Sequence, residues 1–412
     1  MTPRARLGRL GVAIPEILIP GAATPMETWA VIACDQFSSE RSYWEETRRL
    51  TAGSPSTLDL IIPECYLEDG DRDERAEAAN RSMIDVLEKG LLDSLEPGFI
   101  LVDRSTPHAD LRRGLVLAID LDAYDFAEGS TSRIRPTEGT IRDRLPPRMA
   151  VRRGAHLDLP HILLLVDDPE DVVMQAALSA ADREVYDFEL LQGGGHLRGR
   201  HVPEAGLGPL ADALEAIAAR SDLLFAVGDG NHSLASAREI WKEKQAEGAP
   251  DDHPARYALV EVENIHDPGL HFHPIHRVLF GVDPQEIRKT LKTEIGAKTA
   301  DAPSVRIVEP DGSETDLHVT VPPGRLAVET LQETLDAYLA GHPEADIDYI
   351  HGADSVRELV EGRSDRMGLL LPDLDKSSFF GRVSDVGPYP RKTFSIGEAV
   401  EKRYYLEARR LD

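Results

Sequence analysis

The chain has 412 residues, of which 41% are hydrophobic and 29% charged, and its formal net charge is −27. This composition predicts a soluble globular protein of two or three domains, and the negative charge argues against nucleic acid and anionic membranes as partners. No apolar run approaches the roughly 20 residues of a membrane span, and only two cysteines with no apolar leader suggest a reduced, cytoplasmic protein.

Strand and helix patterns alternate through the first part of the chain. The predicted strands are 29–34, 99–102, 115–119, 162–166, 185–191, 197–202 and 223–227. One predicted helix ends near Leu50, and two others cover 75–92 and 209–220. This alternation favours an α/β or mixed α+β fold built around mixed sheets.

The pattern changes after Val282. Helices are predicted over 284–295, 327–339, 355–361 and 398–410, with a hairpin at 305–321 and a strand at 367–371. We therefore expect a phosphate- or nucleotide-binding catalytic region over 1–281, and a smaller α+β region over 282–412 that closes the site.

The most informative segment is a short apolar strand that runs through two glycines into a helix ending near Trp241. Glycines let main-chain amides approach a ligand closely, and a helix N-terminus attracts anions, so the segment predicts a phosphate site. The alternative is an ordinary turn followed by a helix cap. The candidate residues are Gly228, Asp229, Gly230, Asn231, His232 and Ser233.

Arginines cluster in this otherwise acidic chain. Guanidinium groups pair with phosphate and carboxylate oxygens in a bidentate manner, so the cluster indicates an anionic small ligand. The alternative is a solvated surface paired with acidic neighbours. The cluster comprises Arg133, Arg135, Arg142, Arg144, Arg148, Arg152 and Arg153.

Three histidines lie close together in sequence, at His271, His273 and His276. The first two would share one face of a strand and could chelate zinc, but Pro274 interrupts the strand before the third. His276 beside Arg277 is at least as well suited to phosphate.

Two carboxylates are candidate general bases. Asp35 ends a predicted buried strand, and Glu138 lies within the arginine cluster. Either could instead cap a helix or pair with a cation. Lys392, near the C-terminus, is a candidate phosphate ligand as a point charge.

Five segments of the chain resemble motifs of the DUF1015 family, and together they extend over nearly the whole chain. Gly228–Ser233 is similar to its central Asp-Gly-His-His-Arg motif, although Ser233 stands where the family usually has arginine. The other matching segments are 29–37, 135–148, 274–277 and 390–395.

The central motif is also similar to the nucleotide-phosphate motif of the ParB/sulfiredoxin-like superfamily, which includes free serine kinases. The resemblance implies a ParB/sulfiredoxin-like core and phosphoryl transfer between ATP or ADP and a small hydroxy amino acid, with free serine expected. Asp229 would hold Mg²⁺, and Asp35 or Glu138 would accept the hydroxyl proton. The residues expected to neutralise phosphate charge are Arg142, Arg144, Arg148 and His276.

Two other functions are left open by the sequence. A nucleotide-binding switch would form a nucleotide-dependent homodimer without turning over a metabolite. A metal-dependent hydrolase would use His271, His273 and His276.

Overall fold

The computed structural model describes residues 1–299, 301–323 and 325–411. Over these residues the α-helices, α1 to α12, are Pro3–Gly8, Met26–Trp29, Arg41–Leu50, Arg72–Glu88, Leu145–Arg153, Val172–Ala180, Gly208–Ala218, Asn231–Ala246, Pro284–Glu294, Ala327–Gly341, Ala353–Val360 and Lys376–Asp385. The strands, β1 to β21, are Val12–Ala13, Leu18–Pro20, Val31–Ile32, Leu92–Ser94, Gly98–Ser105, Arg112–Asp120, Ile134–Pro136, Leu157–Asp158, Leu163–Val166, Arg183–Glu189, His196–Pro203, Phe225–Asp229, Tyr257–Asn264, Phe272–Phe280, Ser304–Val308, Glu314–His318, Asp346–His351, Arg366–Leu370, Phe394–Ile396, Tyr404–Tyr405 and Arg409–Arg410.

The chain forms two compact units. The first comprises Met1–Leu270, Phe380–Gly387 and Glu398–Asp412, and the second comprises His271–Phe379 and Pro388–Gly397. These units differ from the division predicted at residue 281, because β14 belongs to the sheet of the second unit while the last residues return to the first.

A large mixed sheet organises the first unit. Its strand order is β10-β11-β5-β6-β13-β9-β12-β7, with β1 paired to β6. The pairs β13–β9 and β12–β7 are parallel and the remaining pairs are antiparallel. The predicted mixed α/β class is confirmed.

Both faces of this sheet are covered. Successive side chains of a strand point to opposite faces, so Phe99 and Leu101 of β5 join one apolar cluster while Ile100 and Val102 join the other. Helices α6, α7 and α8 contribute to the first cluster, and α3, α4 and residues 404–408 contribute to the second. Burial on both faces explains why these central strands are continuously apolar.

The second unit has an antiparallel sheet of its own. The strand order is β16-β15-β18-β14-β17, and β19 pairs with the start of β14. Helices α9 and α10 pack on it through Ile287, Leu291, Leu331 and Leu335, all fully buried.

Among the described residues, no helix combines the length and the apolar character needed to cross a bilayer.

The predicted C-terminal helix over 398–410 is wrong. The segment contains a short 3-10 turn at Ala399–Glu401, followed by β20, which pairs with β3, and β21, which pairs with β8. The i, i+4 pair Arg403 and Glu407 resembles a helical surface pair, but both side chains are buried. Tertiary burial therefore overrides the local pattern.

Candidate functional site

The glycine turn lies at an edge of the large sheet. Phe225, Ala226 and Val227 of β12 are completely buried, and α8 begins two residues after the strand ends. The parallel neighbour β7 ends at the same edge, where the Thr137 hydroxyl donates a hydrogen bond of 2.6 Å to the Val227 carbonyl. Glu138 follows directly, so this candidate base and the turn belong to the same edge of the sheet.

Gly230 makes the sharp entry into α8 possible. Its φ of +78° lies in the left-handed region, where a side chain is strained. Among the described side chains none caps this helix, whose first residue is Asn231. The amide oxygen of Asn231 is buried without a hydrogen-bond partner among the described residues. The first main-chain amides of α8 are therefore not capped by a described side chain, and ligand binding at this turn stays a prediction.

Replacing Gly230 by alanine should lower both stability and ligand affinity. The left-handed backbone costs a non-glycine residue about 1–2 kcal/mol, and the new Cβ would lie 3.0 Å from a side-chain carbon of Ile162. Gly248→Ala is the matched control, since φ is +90° there and no atom lies within 4 Å of the position that its methyl group would occupy. Urea unfolding followed by tryptophan fluorescence should rank Gly230→Ala below the control, and equal midpoints would contradict this prediction.

Asp229, the last residue of β12, is held by two donors. One carboxylate oxygen accepts from the Gly230 amide at 2.8 Å, and the other lies 3.1 Å from the Lys402 ammonium. Burial opposes ionisation, but the Lys402 charge and the Gly230 amide hold the pKa of Asp229 below its usual value. The carboxylate is therefore ionised, and Lys402 places at the turn a cation that the sequence pattern did not indicate.

The fit of Mg²⁺ to these residues is incomplete. Magnesium prefers oxygen ligands, and the buried amide oxygen of Asn231 is one. The Asp229 carboxylate, however, already faces the Lys402 ammonium, with which a metal ion would compete. Asp229 as a metal ligand stays a prediction.

The arginine cluster lies beside the turn. A 3-10 turn at Arg142–Arg144 leads into α5, which packs on α8 through a buried apolar cluster. The Ile141 amide donates to the imidazole Nε2 of His232 at 3.3 Å, which fixes the loop against the start of α8. The packed residues are Leu145, Met149, Ala235 and Ile240.

The predicted arginine ligands have different environments. Arg142 is exposed, and its guanidinium lies 5.3 Å from the centroid of the Phe126 ring. Arg144 is exposed. Arg148 forms an ion pair with Glu64. Arg142 and Arg144 are therefore better placed than Arg148 to bind an incoming anion.

Asp35 also belongs to the first unit. It is half-buried and accepts a hydrogen bond of 3.0 Å from the Gln36 amide. Burial raises the pKa values of the Cys34 thiol and the Tyr405 hydroxyl, and the nearby charge of Asp35 raises both further. Asp35 and Glu138 both remain candidate bases, and their roles stay predictions.

A hydrogen-bonded chain of four side chains was not predicted from the sequence. The Ser233 hydroxyl lies 2.9 Å from Nε2 of His161, and Nδ1 of His161 lies 2.9 Å from the Tyr405 hydroxyl. Tyr405 in turn donates to the sulfur of Cys34 at 3.0 Å. The Ser233 side chain is thus directed toward His161, and its adjacent residue His232 is not its partner.

His276, Arg277 and Lys392 belong to the second unit. Arg277 is completely buried, donates to the Ile275 carbonyl and to Gln332, and lies over the Tyr349 ring. Burial lowers its pKa to about 10. Lys392 has a φ of +58°. Phosphate binding by these three residues stays a prediction.

The three histidines of the cluster make contacts within the second unit. The ring centroids of His271 and His273 are 6.3 Å apart, and Nδ1 of His276 accepts a hydrogen bond from the Leu371 amide at 3.1 Å. That nitrogen is consequently occupied, which does not favour a three-histidine metal site.

Acid should weaken the second unit through His276. Burial, followed by the charge of Arg277, lowers its pKa to about 4, whereas the unfolded value is near 6.5. The unfolded chain takes up a proton below about pH 6.5 and the folded unit does so only near pH 4. The contribution of His276 to the free energy of unfolding is therefore fully present above pH 6.5. It is lost as the pH falls toward 4, by up to about 3 kcal/mol.

The check is the hydrogen-exchange protection of the Leu371 amide between pH 7 and pH 4, because protonated His276 cannot accept that hydrogen bond. Protection should fall across this range. His276→Leu should reduce the loss of stability in urea between pH 7 and pH 4, and His342→Leu, at a half-buried histidine after α10, should reduce it less. Constant protection down to pH 4 would show that His276 does not titrate as expected.

Comparison with known proteins gives a family and distant structural likenesses. No protein with curated annotation matches the chain in sequence. A free serine kinase in complex with AMP has 12% identity and a TM-score of 0.40, over 75% of this chain and 95% of that chain. SbnI with a C-terminal truncation, from Staphylococcus aureus, has 13% identity and a TM-score of 0.35, over 68% and 82%.

A conserved hypothetical protein from Pyrococcus furiosus has 13% identity and a TM-score of 0.37, over 72% of this chain and 95% of that chain. The family comparison is more extensive, because one family model matches residues 18–338, which include the glycine turn, the arginine cluster and His276. The chain belongs to the family described as "Protein of unknown function (DUF1015)".

Proposed function

We propose that this protein is a phosphotransferase with a ParB/sulfiredoxin-like core, and that it moves a phosphoryl group between ATP or ADP and the hydroxyl of free serine. The observation that carries the proposal is the start of α8. Its main-chain amides are not capped by any side chain of the described residues, and they lie next to an ionised Asp229 and the Lys402 ammonium. Amides and a cation at one turn suit a phosphate group.

The surrounding charges have distinct tasks in this proposal. The amides of the turn bind the phosphate chain, while Lys402 and the exposed Arg142 and Arg144 neutralise charge as the phosphoryl group is transferred. Phosphoryl transfer depends mainly on positioning and electrostatic stabilisation, so such groups account for most of the catalysis. Asp35 or Glu138 accepts the proton of the serine hydroxyl.

The first experiment separates binding from turnover. ATP, ADP and CTP are titrated into the full-length protein by calorimetry, with and without Mg²⁺, and serine is then added while phosphoserine is followed by ³¹P NMR. Nucleotide binding with phosphoserine formation supports the proposal. Nucleotide binding with dimerisation and no phosphoserine would favour a switch, and no nucleotide binding would refute both.

Asp229→Asn should abolish phosphoserine formation without unfolding the protein. The amide keeps the size of the side chain and can still accept from Gly230, but it removes the charge that faces Lys402. Asp212→Asn is the control, because Asp212 is an exposed carboxylate of the first unit. The measurement is the phosphoserine rate alongside tryptophan fluorescence. Full activity of Asp229→Asn would show that the turn is structural only.

A further inference from the structure

The hydrogen-bonded chain that ends at Ser233 lines a cavity of about 130 Å³ within the first unit. A cavity of roughly 150 Å³ holds one benzene-sized molecule, so there is room for a small acyl group. Ser233, His161, Tyr405 and Cys34 all contribute to its wall. Most of the remaining wall is aliphatic, including Leu60, Ile62, Met83, Leu157 and Ile162.

The partners in this chain suit an imidazole protonated at Nδ1. When Tyr405 donates its only hydroxyl proton to the sulfur of Cys34, the Tyr405 oxygen accepts from Nδ1 of His161. A neutral imidazole carries one N–H, and Nε2 is then left with a lone pair. The Ser233 hydroxyl, 2.9 Å away, donates to that lone pair.

The imidazole is also held in place. His161 and Tyr405 are both at least 91% buried, and their rings meet edge to face with centroids 5.3 Å apart. Burial raises the pKa of both Tyr405 and Cys34, which therefore keep their protons at neutral pH. A nucleophile within hydrogen-bond reach of a base, with the base oriented by a third group, is the arrangement of nucleophilic catalysis.

We propose that Ser233 is a nucleophile with His161 as its general base, and that this pair cleaves esters of small apolar acyl groups bound in the aliphatic cavity. The Ser233 oxygen bonds to the ester carbonyl carbon while its proton passes to Nε2 of His161. The ester C–O bond breaks and the leaving alkoxide takes that proton. Water then attacks the acyl-serine with His161 again as base, which releases the acid and restores the hydroxyl.

The aliphatic wall favours an acyl group over a phosphoryl group, since apolar surface is stabilised by apolar contact and charged groups are not. Two cations also line this cavity, but Arg148 is paired with Glu64 and Arg152 with Asp158. The proposal requires no nucleotide and stands independently of the phosphotransferase.

The test uses the full-length protein without nucleotide. It is incubated with p-nitrophenyl butyrate and, separately, with an alkyl fluorophosphonate, and the modified residue is located by peptide mass spectrometry. We expect p-nitrophenol release and a single adduct on Ser233. His161→Gln should slow both reactions by about 100-fold or more, the contribution typical of a general base.

Ser179→Ala is the matched control, because the exposed Ser179 hydroxyl on α6 donates to the Gln175 carbonyl and Ser179 does not line this cavity. It should react like the wild type, whereas Ser233→Ala should not be labelled. Tyr405→Phe keeps the ring and removes the hydroxyl, so it should change the pH profile of labelling as a positioning residue does. Trp241 on α8 reports folding of every variant.

Absence of an adduct on Ser233 in the folded wild-type protein would overturn the proposal. So would labelling of His161→Gln at the wild-type rate. A parallel incubation with ATP that places a phosphoryl group on Ser233, with no reaction toward p-nitrophenyl butyrate or the fluorophosphonate, would also overturn it and would make Ser233 a phosphoryl acceptor.

Discussion

Lys402→Met should reduce phosphoserine formation by about 100-fold or more, the order expected when one preorganised group that stabilises developing charge is removed. The Lys402 ammonium lies 3.1 Å from Asp229 and is largely buried, so solvent cannot replace it effectively. Methionine preserves most of the length of the side chain. The pKa of Asp229 should also rise, because the lysine charge is a main reason that it lies below its usual value.

The measurement is kcat/KM for phosphoserine formation, together with nucleotide affinity by calorimetry. Lys242→Met is the control: Lys242 lies on α8 as well, but it pairs with Glu239 and is about half exposed. It should retain near wild-type activity. If Lys402→Met were as active as this control, the positive charge at the turn would have no part in catalysis.

The turn itself could be predicted because all of its determinants are local. Two glycines between an apolar strand and a helical pattern predict a tight turn from strand to helix. The structure contains β12, Gly230 at positive φ and α8 in that order. The double-sided burial of β5 and β6 could likewise be read from their continuous apolar runs. Local chemistry and local periodicity agree at these places.

The side chains that complete the turn could not be predicted, because they come from distant parts of the chain. Ser233 and His161 are 72 positions apart, and His161 and Tyr405 are 244 positions apart. Only the pairing of strands brings them together, and a single sequence does not show which strands pair. A lone histidine such as His161 gives no local signal of this role.

Helix α5 was not predicted for a different reason. Leu145 and Met149 have the i, i+4 spacing of a buried helical face, and prolines occupy its first turn. The apolar pair is short and lies among charged residues, so its periodicity is weak. The charge pattern is visible in the sequence, whereas the helix that carries it is not.

The C-terminal segment shows how a buried ionic network can be taken for a surface helix, and removal of one member of that network should destabilise the first unit. Arg403 contacts two carboxylates, Glu261 and Glu407, and Tyr186 donates to Glu407. All four side chains are buried. Breaking one member of such a network leaves uncompensated charge in the interior.

Arg403→Met should therefore destabilise the first unit by about 3–5 kcal/mol, the usual cost of removing one partner of a buried ion pair. All three tryptophans, Trp29, Trp44 and Trp241, are buried in this unit, so their fluorescence during urea unfolding reports on it. The surface pair of Arg198 and Glu184 provides the control, since both side chains are nearly half exposed. Arg198→Met should cost less than about 1 kcal/mol.

The destabilisation caused by unpaired charge can be separated from lost packing by neutralising the two carboxylates that Arg403→Met leaves unpaired. Adding Glu261→Gln and Glu407→Gln to Arg403→Met should recover part of the lost stability, because neutral amides are less costly to bury than unpaired carboxylates. If the triple variant were less stable than Arg403→Met by the sum of the separate losses, packing rather than charge would hold the C-terminal segment in place. Lys402 directly precedes Arg403, so Arg403→Met should also weaken the contact between the Lys402 ammonium and Asp229.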